Sequence, residues 1–258
     1  MIPGVVLPLI LLAGALASYW YFLRGDIQAR PAIARWLYAG TRGRFFAFWC
    51  VRAMTLFGGV GLLGLALLGR VGTLVTMPSD FARAQALVIE LVGDGRGFPL
   101  GWMILALFGG GVIGGVVDRF RRRRRLLMFG DISRLMPRHR GEVGWGVALS
   151  VVAGVTEELF FRLLVPLLVA LLTGQALLGF GISIALFAAA HRYQGWLGVG
   201  ATAVVGGLLT ILYLMTGAIG AAMLVHVVID LNGLVLRPIM AGVLGISSSA
   251  ANRSGRSA

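Results

Sequence analysis

The 258-residue sequence contains no lysine; all 23 of its basic residues are arginine. Acidic residues number only 10, which leaves a formal net charge of +13. Charged residues of both signs make up 13% of the chain and hydrophobic ones 58%, and the mean hydropathy is +0.90. Soluble domains carry about 25% charged and about 45–50% apolar residues, so the composition points away from a soluble globule and toward a bilayer. The single cysteine, Cys50, excludes an internal disulfide framework and a cysteine-based metal site. It lies in an apolar stretch and reads as a small packed or lipid-facing hydrophobe. There is no internal repeat, no P-loop and no Gly-x-Gly-x-x-Gly following a strand, so no familiar nucleotide-binding device is present.

What the sequence has is long apolar runs. At about 20 residues per span, they predict an all-α, polytopic transmembrane helical bundle of seven to eight spans. The seven expected spans cover 2–23, 45–69, 100–117, 143–172, 176–190, 196–215 and 217–236, and an interfacial helix around 81–92 is the candidate eighth element. The first run lacks a basic leader region and reads as a retained span. Arg52, near the start of the second span, is expected to snorkel to the headgroups. The third span carries Gly110-x-x-x-Gly114 and Gly111-x-x-x-Gly115, spacings that let helices approach closely.

The arginines set the sidedness. With the amino terminus outside, segments 24–44 and 118–142, the turn at Arg192 and the tail from Arg237 fall inside and hold eighteen of the 23 arginines; the outside segments hold three. That satisfies the positive-inside rule and predicts a multi-pass protein of the cell (inner) membrane with a cytoplasmic carboxy terminus. The run Arg121, Arg122, Arg123, Arg124, Arg125 is expected to touch anionic lipid headgroups. Nucleic acid is not an expected partner, because no aromatic interleaving or recognition module accompanies the run. The chain divides into 1–142, amino-terminal spans with Arg-rich loops; 143–236, a helical core; and 237–258, a polar, Ser-rich tail expected to be disordered.

Three patterns put ionisable residues inside late spans: Glu157-Glu158-Leu159-Phe160-Phe161-Arg162, Phe187-Ala188-Ala189-Ala190-His191, and His226-Val227-Val228-Ile229-Asp230. A charge at the bilayer centre costs about 2.5–3.5 kcal/mol on insertion scales, so these groups must face the bundle interior and find partners. Glu158 and Arg162 are i and i+4 and can pair; His226 and Asp230 share a face in the same way, as do Phe187 and His191. Glu157 lies about 100° round from Glu158 and is left to point elsewhere. His139, the third histidine, reads as a surface residue among loop arginines. A carboxylate beside a neutral histidine can hold and deprotonate a water, and a second histidine can donate to a developing oxyanion. Together they would suit attack of water on an amide. Zinc is the alternative use of two His and a Glu, but the ligands would come from three helices and there is no His-Glu-x-x-His, so no cofactor is expected. A proton or substrate relay in a transporter, or a noncatalytic scaffold with a buried ion network, is the alternative function.

At these residues the sequence resembles the CPBP family of intramembrane proteases, which includes the type II CAAX prenyl endopeptidases and the bacterial proteins once called Abi. The family pattern is Glu-Glu-x-x-x-Arg, then Phe-x-x-x-His, then His-x-x-x-Asn or Asp, each in a separate late span, and the likeness covers about 143–236. The resemblance implies a glutamate-dependent endopeptidase acting on a peptide or protein substrate in or at the membrane. Glu157 and His191 would activate the water, His226 and Asp230 would line the oxyanion side, and Glu158, Arg162 and Phe187 would support them. An ionised Asp230 cannot donate to an oxyanion as Asn could. Either its apolar surroundings keep Asp230 protonated, or it only orients His226 by accepting a ring N–H, and the second is the expected role.

Overall fold

A computed structural model of the chain describes residues 3–24, 42–94, 99–120, 132, 135–242 and 244. The run Arg121–Arg125 lies outside these residues. Eight principal helices make up the structure, and there is no β-strand among the described residues. They are α1 (Pro3–Leu23), α2 (Arg42–Leu67), α3 (Ala82–Val92), α4 (Leu100–Phe120), α5 (143–173), α6 (Ala176–Ala190), α7 (Gly195–Thr216) and α8 (Ile219–Met240). Five of them, α1, α2, α4, α7 and α8, are long and apolar enough to cross a membrane, and α6 is a shorter apolar helix. The long α5 differs from those five in carrying Glu157, Glu158 and Arg162. The expected helix near 81–92 is present as α3, with Phe81 and Ala84 buried at its start.

Tight links hold the later helices together. Gly174 (φ +70°) ends α5 and Gly217 (φ +69°) ends α7 in the left-handed conformation that only glycine adopts cheaply. Their N–H groups close onto the carbonyls of Ala170 and Tyr213, each at 2.8 Å, so each following helix starts within two residues. Helices then approach at backbone distance where side chains are missing. A Cβ on Gly154 of α5 would fall 2.8 Å from the backbone nitrogen of Val227 in α8, and one on Gly179 of α6 would fall 2.7 Å from the carbonyl oxygen of Pro166 in α5. Of the two glycine pairs in α4, Gly111 and Gly115 face α8; Gly114 lies under the Arg237 guanidinium, and Gly110 meets nothing within 4 Å.

An aromatic cluster fills the centre. Phe57, Phe160, Phe161, Phe187, Phe180, Phe81, Tyr19 and Tyr213 belong to one buried core, and the Phe57 ring meets Phe160 tilted at 4.9 Å and Phe161 edge-on at 5.2 Å. Three helices contain a π-helical turn: Met54–Gly59 in α2, Leu159–Leu164 in α5 and Asn232–Leu236 in α8. Such turns are rare and recur at functional sites. The turn in α5 begins one residue after Glu158 and contains Arg162. The Ser183 hydroxyl of α6 donates to the Phe161 carbonyl within it.

Two expectations change. Arg52 does not reach outward: it is 9% exposed, and its guanidinium donates to the carbonyls of Tyr21 and Phe22 (3.2 Å for the latter) at the end of α1. A helix end leaves carbonyls unpaired and carries partial negative charge, which makes it a favourable site for the guanidinium. The polar tail begins later than 237. α8 continues to Met240 because Arg237 pairs with Asp118 of α4 at 2.8 Å, and Met240 packs over Gly115. Residues 245–258 lie outside the described residues.

Candidate active site

The three patterns sit on the neighbouring helices α5, α6 and α8, and Glu158 is where they join. Its Oε1 accepts from His226 Nδ1 at 2.7 Å and lies 2.9 Å from Arg162 Nη1. Glu158 is 0% exposed, Arg162 1% and His226 4%. The i, i+4 pair read from α5 is therefore present, even though a π-helical turn intervenes. The Arg162 pair is an ion contact rather than an aligned hydrogen bond, since Nε, Nη1 and Nη2 all lack hydrogen-bond partners. The guanidinium lies 4.1 Å from the centroid of the Phe187 ring, a cation–π contact in a desolvated setting.

Phe187 is the common neighbour. Its ring is 4.8 Å from that of His191 and 5.7 Å from that of His226, the latter edge-on. Its carbonyl is 2.8 Å from His191 Nδ1. A carbonyl only accepts, so Nδ1 carries the proton and the Nε2 lone pair of a neutral His191 is left available. On His226 the Nδ1 proton goes to Glu158. Asp230 stands 3.9 Å from Nε2, beyond hydrogen-bonding distance. The group that orients His226 is thus Glu158, where the sequence suggested Asp230.

Glu157 is half-buried on α5 and lies within electrostatic reach of His226, Asp230, Arg162 and Glu158. Its Oε2 is buried without a hydrogen-bond partner, and so is Oε2 of Glu158. Buried polar atoms in native proteins are nearly always paired, by protein or by water. A concentration of orphaned oxygens and guanidinium nitrogens around two histidines marks a place built to hold water or a polar group. Among the described residues no group of three or more His, Cys, Asp or Glu is gathered as a metal-ligand set. An apolar cavity of about 250 Å³, lined by residues of α1 and α2 and by Leu164, involves none of the site residues.

Sequence reasoning missed several supporting residues. Gly206 of α7 leaves room for Phe187, whose ring would be 3.1 Å from a Cβ there. The Tyr19 hydroxyl of α1 donates to the Leu186 carbonyl at 2.8 Å, next to Phe187. The ring of Tyr193 lies 5.9 Å from that of His191. Neither a lone glycine in an apolar run nor an isolated tyrosine carries a periodic signal. Ser183, the one polar residue in the α6 run, is the exception a sequence could show.

Residues 139–232, just over a third of the chain, match the family model described as type II CAAX prenyl endopeptidase, Rce1-like. The matched region contains all three patterns. No curated protein and no solved structure gives a match. The family match is consistent with a CPBP-family protease. With the apolar helices of the fold, it makes the chain a multi-pass membrane protein with a CAAX-protease-like domain, and it supports intramembrane endopeptidase activity.

Proposed function

We propose that the chain is an intramembrane endopeptidase that hydrolyses a peptide bond of a membrane-associated substrate, or one bearing a C-terminal signal, through a water activated by Glu157 and His191. The observation that carries this reading is the partition of roles within one cluster. Glu158 has committed Oε1 to Arg162 and His226; its Oε2 and that of Glu157 are both buried without a hydrogen-bond partner, but Glu157 has neither of those commitments, and His191 keeps a free Nε2.

In the proposed reaction a water lies between Glu157 and His191. Its oxygen bonds to the peptide carbonyl carbon while its proton passes to the carboxylate or the imidazole. The carbonyl π electrons become an oxyanion, facing His226. Collapse of that intermediate breaks the C–N bond, and the stored proton goes to the departing nitrogen. The products are a carboxylate terminus and an amine terminus. Water is consumed, nothing is oxidised or reduced, and no metal or other cofactor takes part. Arg162 and Glu158 keep His226 in register, and Phe187 separates the two imidazoles.

On this reading seven helices span the inner membrane, α5 and α6 among them, with the amino terminus outside and the site toward the cytoplasmic half. The arginines at 121–125 contact anionic headgroups. A topology reporter fused near Arg123 is expected to report the cytoplasm. A reporter active only outside would overturn the orientation.

The decisive experiment compares membranes carrying the wild-type chain with membranes carrying Glu157→Gln and sequences the protein termini in each. Termini that depend on Glu157 identify the substrate and support the reading. Cleavage that persists in Glu157→Gln, or that chelators abolish together with loss of stoichiometric zinc, would overturn it. The first result would favour a scaffold or transporter, and the second a metalloprotease.

A further inference from the structure

One requirement of the proposed reaction is not met by the residues already assigned. A tetrahedral oxyanion is best stabilised by preorganised donors. An ionised carboxylate at Asp230 can only accept, and it stands 3.9 Å from His226 Nε2. Where the resemblance allows an asparagine, with an amide N–H₂, an ionised Asp230 offers no donor. His226 would act alone.

We infer that the Tyr193 hydroxyl is the second oxyanion donor, standing in for the amide that Asp230 lacks. The inference rests on the endopeptidase reading above. Tyr193 belongs to the short 3-10 helix Arg192–Gln194, immediately after His191. That turn is fixed at both ends. The His191 N–H bonds to the Ala188 carbonyl at 3.1 Å, and the Gln194 N–H to the His191 carbonyl at 2.9 Å. Gly195 then takes φ +81°, a conformation that side chains disfavour, to start α7. The phenol is thereby held beside the histidine ring, with centroids 5.9 Å apart and planes inclined by 32°. The hydroxyl oxygen accepts from Gln194 Nε2 at 3.1 Å. Accepting there leaves its own proton free to be donated elsewhere. Glu157 and Asp230 lie within its electrostatic reach. Tyr193 is also 52% exposed, so its edge is open to an incoming peptide. Donation from the Tyr193 hydroxyl on one side and, from a His226 protonated at both nitrogens, from its Nε2–H on the other would hold the oxyanion between the 192–194 turn and α8, while Glu157 and His191 deliver the water.

Tyr193→Phe removes the hydroxyl and keeps the ring that packs on His191. The rate at which Glu157-dependent termini form is measured in membranes carrying the wild type, Tyr193→Phe, Asp230→Asn, and Tyr193→Phe with Asp230→Asn. Tyr193→Phe is expected to slow formation by about 10²-fold, with membrane abundance unchanged and the substrate concentration at half-maximal rate little altered. Adding Asp230→Asn is expected to recover part of that loss, because the amide supplies a donor. Wild-type rates in Tyr193→Phe would overturn the inference and reduce Tyr193 to an interfacial aromatic, a role phenylalanine fills. A slow variant that also loses abundance, or that Asp230→Asn does not recover, would overturn it too. Failure of the endopeptidase reading is distinct, since the same termini would then appear with Glu157→Gln.

Discussion

Among the described residues, the buried carboxylate clusters at Glu142 and Glu158 differ in how completely they are satisfied. At Glu142, just before α5, both oxygens are taken. Arg42 Nε reaches both at 3.2 Å, the Arg138 N–H donates to Oε2 at 2.8 Å, and His139 Nε2 lies 3.2 Å from Oε1. Arg42 also donates to the Met136 carbonyl at 2.9 Å. That cluster staples the start of α2 to the approach of α5. At Glu158, deeper in the same helix, one oxygen takes both partners; the other oxygen, one oxygen of Glu157 and three guanidinium nitrogens are left without hydrogen bonds. A purely structural cluster gains by filling its valences; at Glu142 both carboxylate oxygens are filled, and of the buried side-chain atoms only His139 Nδ1 is left without a partner. One that leaves several unfilled, in a less exposed place, is arranged for a visitor. Exposure alone would not have separated the two, since both glutamates are buried.

Five substitutions can break or sharpen that contrast. The largest effect is expected at Glu157, where Gln keeps the shape and removes the base. Cleavage should fall by a factor of about 10²–10⁴ at normal membrane abundance, as read by quantifying product per molecule of protein. Next come Glu158→Gln and Arg162→Ala. Each leaves a charge without its partner in a buried pair, a loss of about 3–5 kcal/mol, so both abundance and heat resistance in detergent should drop along with activity. If either variant were as abundant as wild type, the supporting role given to the pair would be wrong. Gly154→Ala is expected to cost about 1–3 kcal/mol through overpacking, because the new methyl meets the backbone of Val227, one residue after His226. Its mark would be slower cleavage without loss of Glu157 or His191 chemistry. The smallest effect is expected at Glu142→Gln. It should cost about 1 kcal/mol of stability and leave cleavage per folded molecule unchanged; a loss of rate there would mean that the two clusters are coupled.

Much of this architecture is legible in the sequence because the bilayer enforces it. Apolar runs long enough to span must be helices, and the loop at 70–99 carries its helix near the expected place. The Glu158–Arg162 pair and the packing of Phe187 on His191 follow from helical spacing. What the sequence does not display is contact between elements far apart in the chain. Nothing at Arg52 announces the end of α1, and Arg237 and Asp118 look like the margins of separate loops. His226 has an acidic neighbour at i+4, Asp230, which suggested a local partner. The actual partner is Glu158, 68 positions earlier, because α5 and α8 meet at Gly154 closely enough to bring the carboxylate under the ring. Local periodicity gives each helix its face, but only the packing decides which faces meet.

The Arg52 contact also bears on how the chain is made. The last carbonyls of α1 receive their donor from a side chain on the following span, and the Ser18 hydroxyl of α1 donates to the Leu56 carbonyl at 2.7 Å. During synthesis the first hydrophobic segment emerges some thirty positions before that arginine exists. Until then its terminal carbonyls must find water or face hydrocarbon at a cost of several kcal/mol. The two segments therefore reach their final contacts as a hairpin. Arginine at this point in the chain acts as a clasp that closes when the second half of the hairpin arrives, making the order of translation part of how the amino-terminal pair is assembled.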